Sequence, residues 1–228
     1  MKTYAFIFAR GGSKGLPGKN ILPLNGIPLI GYSIEIAKEI GEISEIYVST
    51  DDKGIAQVAK DLGAQVILRP NELATDTSPE LDSWKHAISY LQNKESYFER
   101  FISLPPTAPL RNKDDVTKAL AKFDESTDLV VTMTDAQRSP YFNMVKMNNS
   151  GYVETIIKNE NKYIRRQDAP LCYDLTTVAY VSSPAYILSA SNIFNGRVKA
   201  VNIPKDRSID IDDKLDFDLA EMILKNKE

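Results

Sequence analysis

The chain has 228 residues, 43% hydrophobic and 26% charged, with a formal net charge of −3. Folding a chain of that length buries roughly 70% of the extended surface, and the composition excludes collagen, intrinsic disorder and a nucleic-acid binder driven by bulk charge. One cysteine, Cys172, and one histidine, His86, leave no internal disulfide and no Cys/His zinc site.

Residues 4–9 are a short apolar run ending in a glycine cluster and read as a first strand. No small-residue cleavage site follows, so a cleaved leader is not expected. Apolar residues then recur at helical spacing over 29–40. Residues 45–50 read as a strand, 55–62 as a helix, 65–68 as a strand and 81–91 as a helix. A strand over 101–104 is halted by Pro105 and Pro106. Residues 114–124 make a helix with acids in its first turn, and 129–134 a strand. Strands over 176–182 and 199–203 and a helix over 216–225 complete the series. This alternation implies an α/β fold, a mainly parallel sheet with helices on both faces.

Residues 138–172 break the rhythm. Asn148-Asn149-Ser150-Gly151 is a turn signal between apolar runs at 144–147 and 152–157, so a hairpin inserted in the frame is expected. Residues 1–228 read as one domain carrying that insertion. No run approaches the roughly 18 apolar residues of a bilayer span. No membrane or nucleic-acid partner is expected, and a reducing cytoplasm suits the single thiol.

The segment from Arg10 to Asn20 follows a strand and precedes a helix, where α/β sheets bind ligands. Gly11, Gly12, Gly15 and Gly18 permit tight turns and let backbone N–H groups approach an anion. Arg10, Lys14 and Lys19, with Lys2, make four cations before the first acid, Glu35. That asymmetry suits a triphosphate. A Walker A loop is excluded, because Gly18-Lys19 is followed by Asn20 and Ser13 stands at the first glycine position. The glycine spacing also fails the dinucleotide fingerprint.

Near the other end, residues 206–218 hold six aspartates. Asp210 and Asp212 are one residue apart, so in extended backbone both point to one side, with Ile209 and Ile211 pointing the other way into the core. Two hard oxygen ligands on one face suit Mg²⁺, which takes one or two carboxylates and fills its shell with water and phosphate oxygens. Asp213 and Asp216 read as caps of the last helix. A basic phosphate cradle and an acidic metal pair together point to nucleotidyl transfer.

Ala9-Arg10-Gly11-Gly12-Ser13-Lys14-Gly15 with Lys19-Asn20 resembles the nucleotide-binding signature of the acylneuraminate cytidylyltransferases, the CMP-sialic acid synthetases. The resemblance runs nearly end to end through Ser49-Thr50-Asp51, Leu68-Arg69-Pro70, Glu72-Leu73-Ala74, Pro109-Leu110-Arg111, Arg166-Gln167 and Ser208-Ile209-Asp210-Ile211-Asp212. It implies a three-layer, Rossmann-like nucleotidyltransferase fold, a homodimer joined through the inserted hairpin, and CTP as substrate. Arg10, Gly11, Gly12, Ser13, Lys14, Lys19 and Asn20 would hold the nucleotide, Arg69 the cytidine, and Asp212 and Asp210 the metal. Asp51 would support the base or ribose, or cap the helix that follows. The hydroxyl of an acidic sugar would attack the α-phosphorus, with Arg10, Lys14, Lys19 and Asp212 carrying the catalysis.

A nonulosonic acid carries a carboxylate, for which a guanidinium is the expected partner. By the same resemblance, Arg166 and Gln167 face the sugar and are lent across a dimer interface; Tyr173 and Tyr180 read equally as lining of its pocket or as core. Pro105, Asp174 and the region of Phe142 depart from the pattern of enzymes acting on N-acetylneuraminate and resemble the legionaminate-type branch. The alternatives are a nucleotidyltransferase for Kdo or a sugar 1-phosphate, a non-catalytic nucleotide-binding module, and an interaction protein using only the hairpin.

Overall fold

The computed structural model describes residues 1–158, 163 and 165–226. Period-two alternation in the first strand sets the architecture. In β1 (Thr3–Phe8), Ala5 and Ile7 belong to one buried cluster, and Tyr4 and Phe6 to another on the opposite face. A strand apolar on both sides needs cover on both sides.

In chain order there follow β2 (Pro23–Leu24), β3 (Ile27–Pro28), α1 (Leu29–Glu39), β4 (Ile43–Thr50), α2 (Lys53–Asp61), β5 (Gln65–Leu68), α3 (Glu80–Gln92), β6 (Arg100–Ser103), α4 (Lys113–Lys122) and β7 (Leu129–Asp135). A hairpin of β8 (Val145–Met147) and β9 (Val153–Thr155) precedes β10 (Tyr173–Ser182), α5 (Pro184–Ser189), β11 (Val198–Asn202) and α6 (Lys214–Lys225). A seven-stranded sheet has the order β11-β7-β10-β6-β1-β4-β5. It is mainly parallel, as the alternation implies. β10 alone runs antiparallel to its neighbours β6 and β7. The excursion after β7 returns the chain beside the strand it left, without a helical crossover, and that return reverses the direction.

Helices α1, α2 and α4 pack with Ala5, Ile7, Val48 and Val130 on one face. Helices α3 and α5 pack with Tyr4, Phe6, Ile67 and Phe101 on the other. Three layers result. Helix α6 lies apart, its Phe217 and Ala220 packed with Leu24, Leu110 and Ile211. This third cluster anchors the aspartate-rich segment against the rest of the domain.

Side-chain caps start several helices. Asp52 accepts from Ile55 N at 2.8 Å before α2, and Asn112 and Asp115 form a reciprocal box at α4. Asp213 and Asp216 form the same box at α6, the capping role expected of them. Helix α5 has no counterpart among the expected elements, since six residues are too few to display a period. Ser183 caps it by accepting from Tyr186 N at 3.2 Å, and Pro184 stands in its first turn.

The hairpin stands as its own two-stranded sheet. Asn148 Oδ1 closes its turn, accepting from the backbone N–H groups of Ser150 and Tyr152 at 3.0 Å each. Val145, Met147 and Val153 are 57%, 71% and 60% exposed, so its apolar residues are uncovered within one chain.

Candidate active site

The cleft forms where β1 ends. Ala9 N still bonds Ser49 O at 3.0 Å, and the chain then leaves the sheet. Asp51, at the end of β4, accepts from Gly11 N at 3.0 Å. Of the two roles expected for Asp51, the helix cap falls to Asp52 instead, and Asp51 clamps the glycine loop. Asn20 Nδ2 donates to Arg10 O at 2.9 Å and closes the loop from its far end. Gly18, at φ +68°, opens the turn Lys19–Ile21 in a conformation that favours glycine.

This loop reaches the aspartate segment directly. A Cβ on Gly15 would collide with the Asp212 carbonyl oxygen. Lys19 is 8% exposed. Its ammonium donates to Ile211 O and lies 3.5 Å from Asp212 Oδ1. Two regions nearly two hundred residues apart in sequence therefore form one wall.

Ile211 is fully buried, and its N–H bonds Thr107 O at 2.8 Å. The two flanking aspartates have unequal surroundings. The Asp212 side chain is 81% exposed, while Asp210 Oδ1 is buried without a hydrogen-bond partner. Burial pushes the Asp210 carboxyl above its ordinary range and the Asp212 charge adds to the rise, while Thr107, Thr177 and Lys19 oppose it. Asp216 accepts from the N–H groups of Asp212 and Asp213 at 3.0 and 3.1 Å, so the α6 cap also holds the Asp212 backbone. An orphaned buried oxygen beside an exposed carboxylate is a donor set that fits Mg²⁺. Among the described residues no group of three or more His, Cys, Asp or Glu side chains is poised for a metal.

Arg69, at the end of β5, is 8% exposed. It donates to Ser83 Oγ at 2.9 Å and Ser49 O at 3.4 Å, and its Nε is buried and unpartnered. Burial lowers its pKa, opposed by Asp51 and Glu80. Two adjoining cavities occupy this cleft. One, of about 240 Å³, is lined by Arg69, Ser83, Thr75, Asp76 and Ser78. The other, of about 270 Å³, is lined by Ser13, Gly15, Lys19, Asn20, Thr107 and Asp212. Phe8, Arg10 and Glu80 line both. Although Glu80 is open to the cleft, surrounding protein raises its pKa, Trp84 and Arg69 opposing and Asp210 reinforcing.

Several residues of this cleft lie outside the expected set. Asp76 Oδ1 and Oδ2 stand 2.5 Å from Arg10 Nη1 and 2.5 Å from Lys14 Nζ. A β-bulge in β10, filled by the Thr132 hydroxyl bonding Thr176 Oγ1 at 2.8 Å, leaves Thr177 on the cleft beside Thr107. Arg111 braces the wall from behind, donating to Ser33 Oγ at 2.9 Å and to Pro105 O, and burial pushes its pKa down to about 9. The acid that opens α3 after an Arg-Pro strand end was a readable signal for Glu80. No spacing pairs Asp76 with Arg10.

Three of the four residues expected to meet the sugar, Gln167, Tyr173 and Tyr180, do not line this cleft. Gln167 and Tyr173 come together in a separate cavity of about 560 Å³, bounded by 135–139 and 169–173. Arg166 lies in the turn Arg166–Asp168, and its side chain is outside the described part of the protein. Tyr180 is corrected from pocket wall to core: it is 5% exposed and its ring packs on Trp84 at 5.4 Å. A larger cavity, about 790 Å³ between β7, β10 and α6, contains no residue of the first loop. Chemistry, and not size, assigns the cleft. His86 lines neither cleft cavity, and Cys172 sits in the cavity with Gln167.

The cytidylyltransferase family model matches residues 4–227. The chain is 35% identical over 226 residues to CMP-N,N'-diacetyllegionaminic acid synthase of Campylobacter jejuni, covering 97% of this chain and 94% of that protein. It is 32% identical over 226 residues to post-translational flagellin modification protein B of Campylobacter coli, with the same coverage. The fold matches that of CMP:2-keto-3-deoxy-manno-octonic acid synthetase complexed with CTP, at a TM-score of 0.73, 18% identity and full coverage of both chains. A glycine loop locked onto an acid pair at the strand ends, together with these likenesses, leads to one conclusion: the chain belongs to the cytidylyltransferase family.

Proposed function

We propose that this enzyme transfers CMP from CTP to a nonulosonic acid of the legionaminic or N-acetylneuraminic type and releases pyrophosphate. The observation that carries this reading is the contact of Lys19 and Gly15 with Asp212, which puts phosphate-binding cations and metal-binding carboxylates on one small cleft. Arg10, Lys14 and Lys19 balance the phosphate charge, and Asn20 and Asp51 hold the loop in shape. Arg69 faces the cytidine with Ser83 fixing its guanidinium. Asp210 and Asp212 would hold Mg²⁺, which when bound supplies charge neutralisation at the α-phosphate. The C2 hydroxyl of the sugar attacks the α-phosphorus and gives up its proton to solvent, the new C–O–P bond forms, and the bond to the β-phosphate breaks as pyrophosphate leaves.

Gln167 and Tyr173 lie in a different cavity of the same chain. They reach a sugar in the cleft by belonging to a partner's cleft across a homodimer, with the exposed apolar hairpin as the joining surface. The test is product identification by mass spectrometry with CTP, Mg²⁺ and a panel of acids. The reading expects a CMP-nonulosonate. Turnover only with Kdo or a sugar 1-phosphate would replace the acceptor, and absence of any turnover alongside CTP binding would leave a binding module.

A further inference from the structure

We propose that Asp76 is an internal competitor for polyphosphate: it pairs with Arg10 and Lys14 in the free protein, yields them to the triphosphate, and returns as pyrophosphate departs. This rests on the phosphate-cradle reading of the first loop given above.

One carboxylate spans two of the loop's three cations. Its Oδ1 lies 2.5 Å from Arg10 and its Oδ2 2.5 Å from Lys14. Two oxygens on one centre bridging two cations is also how a phosphate group would sit. Lys19 is turned away, toward Ile211 and Asp212. The Lys14 side chain is 82% exposed and anchored by little else, yet its ammonium rests on Asp76.

The segment carrying Asp76 is built to present it. Thr75 Oγ1 and Ser78 Oγ are 2.7 Å apart, and Ser78 Oγ donates to Glu72 O at 2.7 Å. Asp76 also lines the cavity shared by Arg10 and Arg69. Lys14 and Arg10 hold its carboxyl below the ordinary range, so it is charged at neutral pH.

Exposed ion pairs of this kind are weak. A triphosphate, with several charges on one chain, displaces a single carboxylate. After transfer, the leaving pyrophosphate faces a tethered anion at high local concentration, which lowers its residence on the cations. Asp76 thus biases the site toward product release.

Titration calorimetry with inorganic pyrophosphate tests this, at fixed ionic strength and magnesium, on the parent, Asp76→Asn, Asp76→Ala and Asp76→Glu. The two neutral variants are expected to bind pyrophosphate roughly three- to tenfold more tightly, with Asp76→Glu near the parent. Unchanged or weaker binding by both neutral variants overturns the proposal while leaving the cradle intact. Failure of pyrophosphate to bind any of the four proteins would instead remove the cradle reading beneath it.

Discussion

The backbone of Gly15 lies against the carbonyl of Asp212, with no room for a Cβ between them. The atom in the way belongs to the main chain, which cannot rotate aside as a flexible side chain would. Gly15→Ala therefore parts the first loop from the aspartate segment. The expected cost is roughly 1–3 kcal/mol of stability, with a fall in kcat/KM on the order of a hundredfold from displaced groups. Denaturant unfolding and steady-state kinetics with CTP check both.

Asp210 and Asp212 are expected to separate stability from function. Burial disfavours the charged form of Asp210, so its ionised carboxyl at neutral pH weakens the metal-free protein. Asp210→Asn removes that charge and should melt at or above the parent temperature while losing roughly a hundredfold or more in activity. Asp212→Ala, at a side chain 81% exposed, should keep the fold and lose activity similarly. Calorimetric melts without metal, compared with turnover in Mg²⁺, decide the point. A large loss of Tm in Asp210→Asn would contradict it.

Acid should loosen the β7–β11 edge. Asp128 accepts from Arg197 at 3.0 Å through each oxygen, and Arg197 holds its carboxyl down to about 2. A folded-state pKa below the ordinary aspartate value means that the pair stabilises above about pH 4. That contribution disappears as the pH falls through about 2. Asp128→Asn should lower Tm at pH 6 and flatten its decline between about pH 4 and pH 2. A melt series over that range in both proteins measures the slope.

The hairpin should hold a dimer together. Met147 and Val153 are a cross-strand pair, 71% and 60% exposed. Paired with Val145, they give the hairpin an apolar surface of the kind that marks interaction sites. Met147→Asp with Val153→Asp should convert a dimer to a monomer in light scattering at micromolar concentration, with helix content unchanged. A parent protein that already scatters as a monomer would remove the hairpin's role.

How much of the fold was legible follows from the range of the forces. Strand β5 lies where alternation and flanking turns put it, at residues 65–68. The other expected strands and helices differ from the observed ones mainly at their ends, where capping side chains such as Asp52 and Asn112 set the first turn. The antiparallel setting of β10 was not legible, since strand direction depends on which neighbour the chain returns to after the hairpin. Tyr180 shows the same limit. An aromatic residue in a strand reads alike as core or pocket, and only packing on Trp84 decides. Arg111 looks like any surface cation, yet the fold closes over it, and Ser33 Oγ and Pro105 O accept hydrogen bonds from its guanidinium.

Sequence alone established the α/β alternation, the glycine-and-cation loop, and the Asp-Ile-Asp segment, because each is written in residues a few positions apart. Tertiary structure decided that Gly15 and Lys19 meet Asp212, that Asp76 bridges Arg10 and Lys14, and that Gln167 and Tyr173 sit in another cavity. Those relations join positions tens to nearly two hundred residues apart. Strand pairing order and the burial of both sheet faces bring them together, and no local periodicity encodes that.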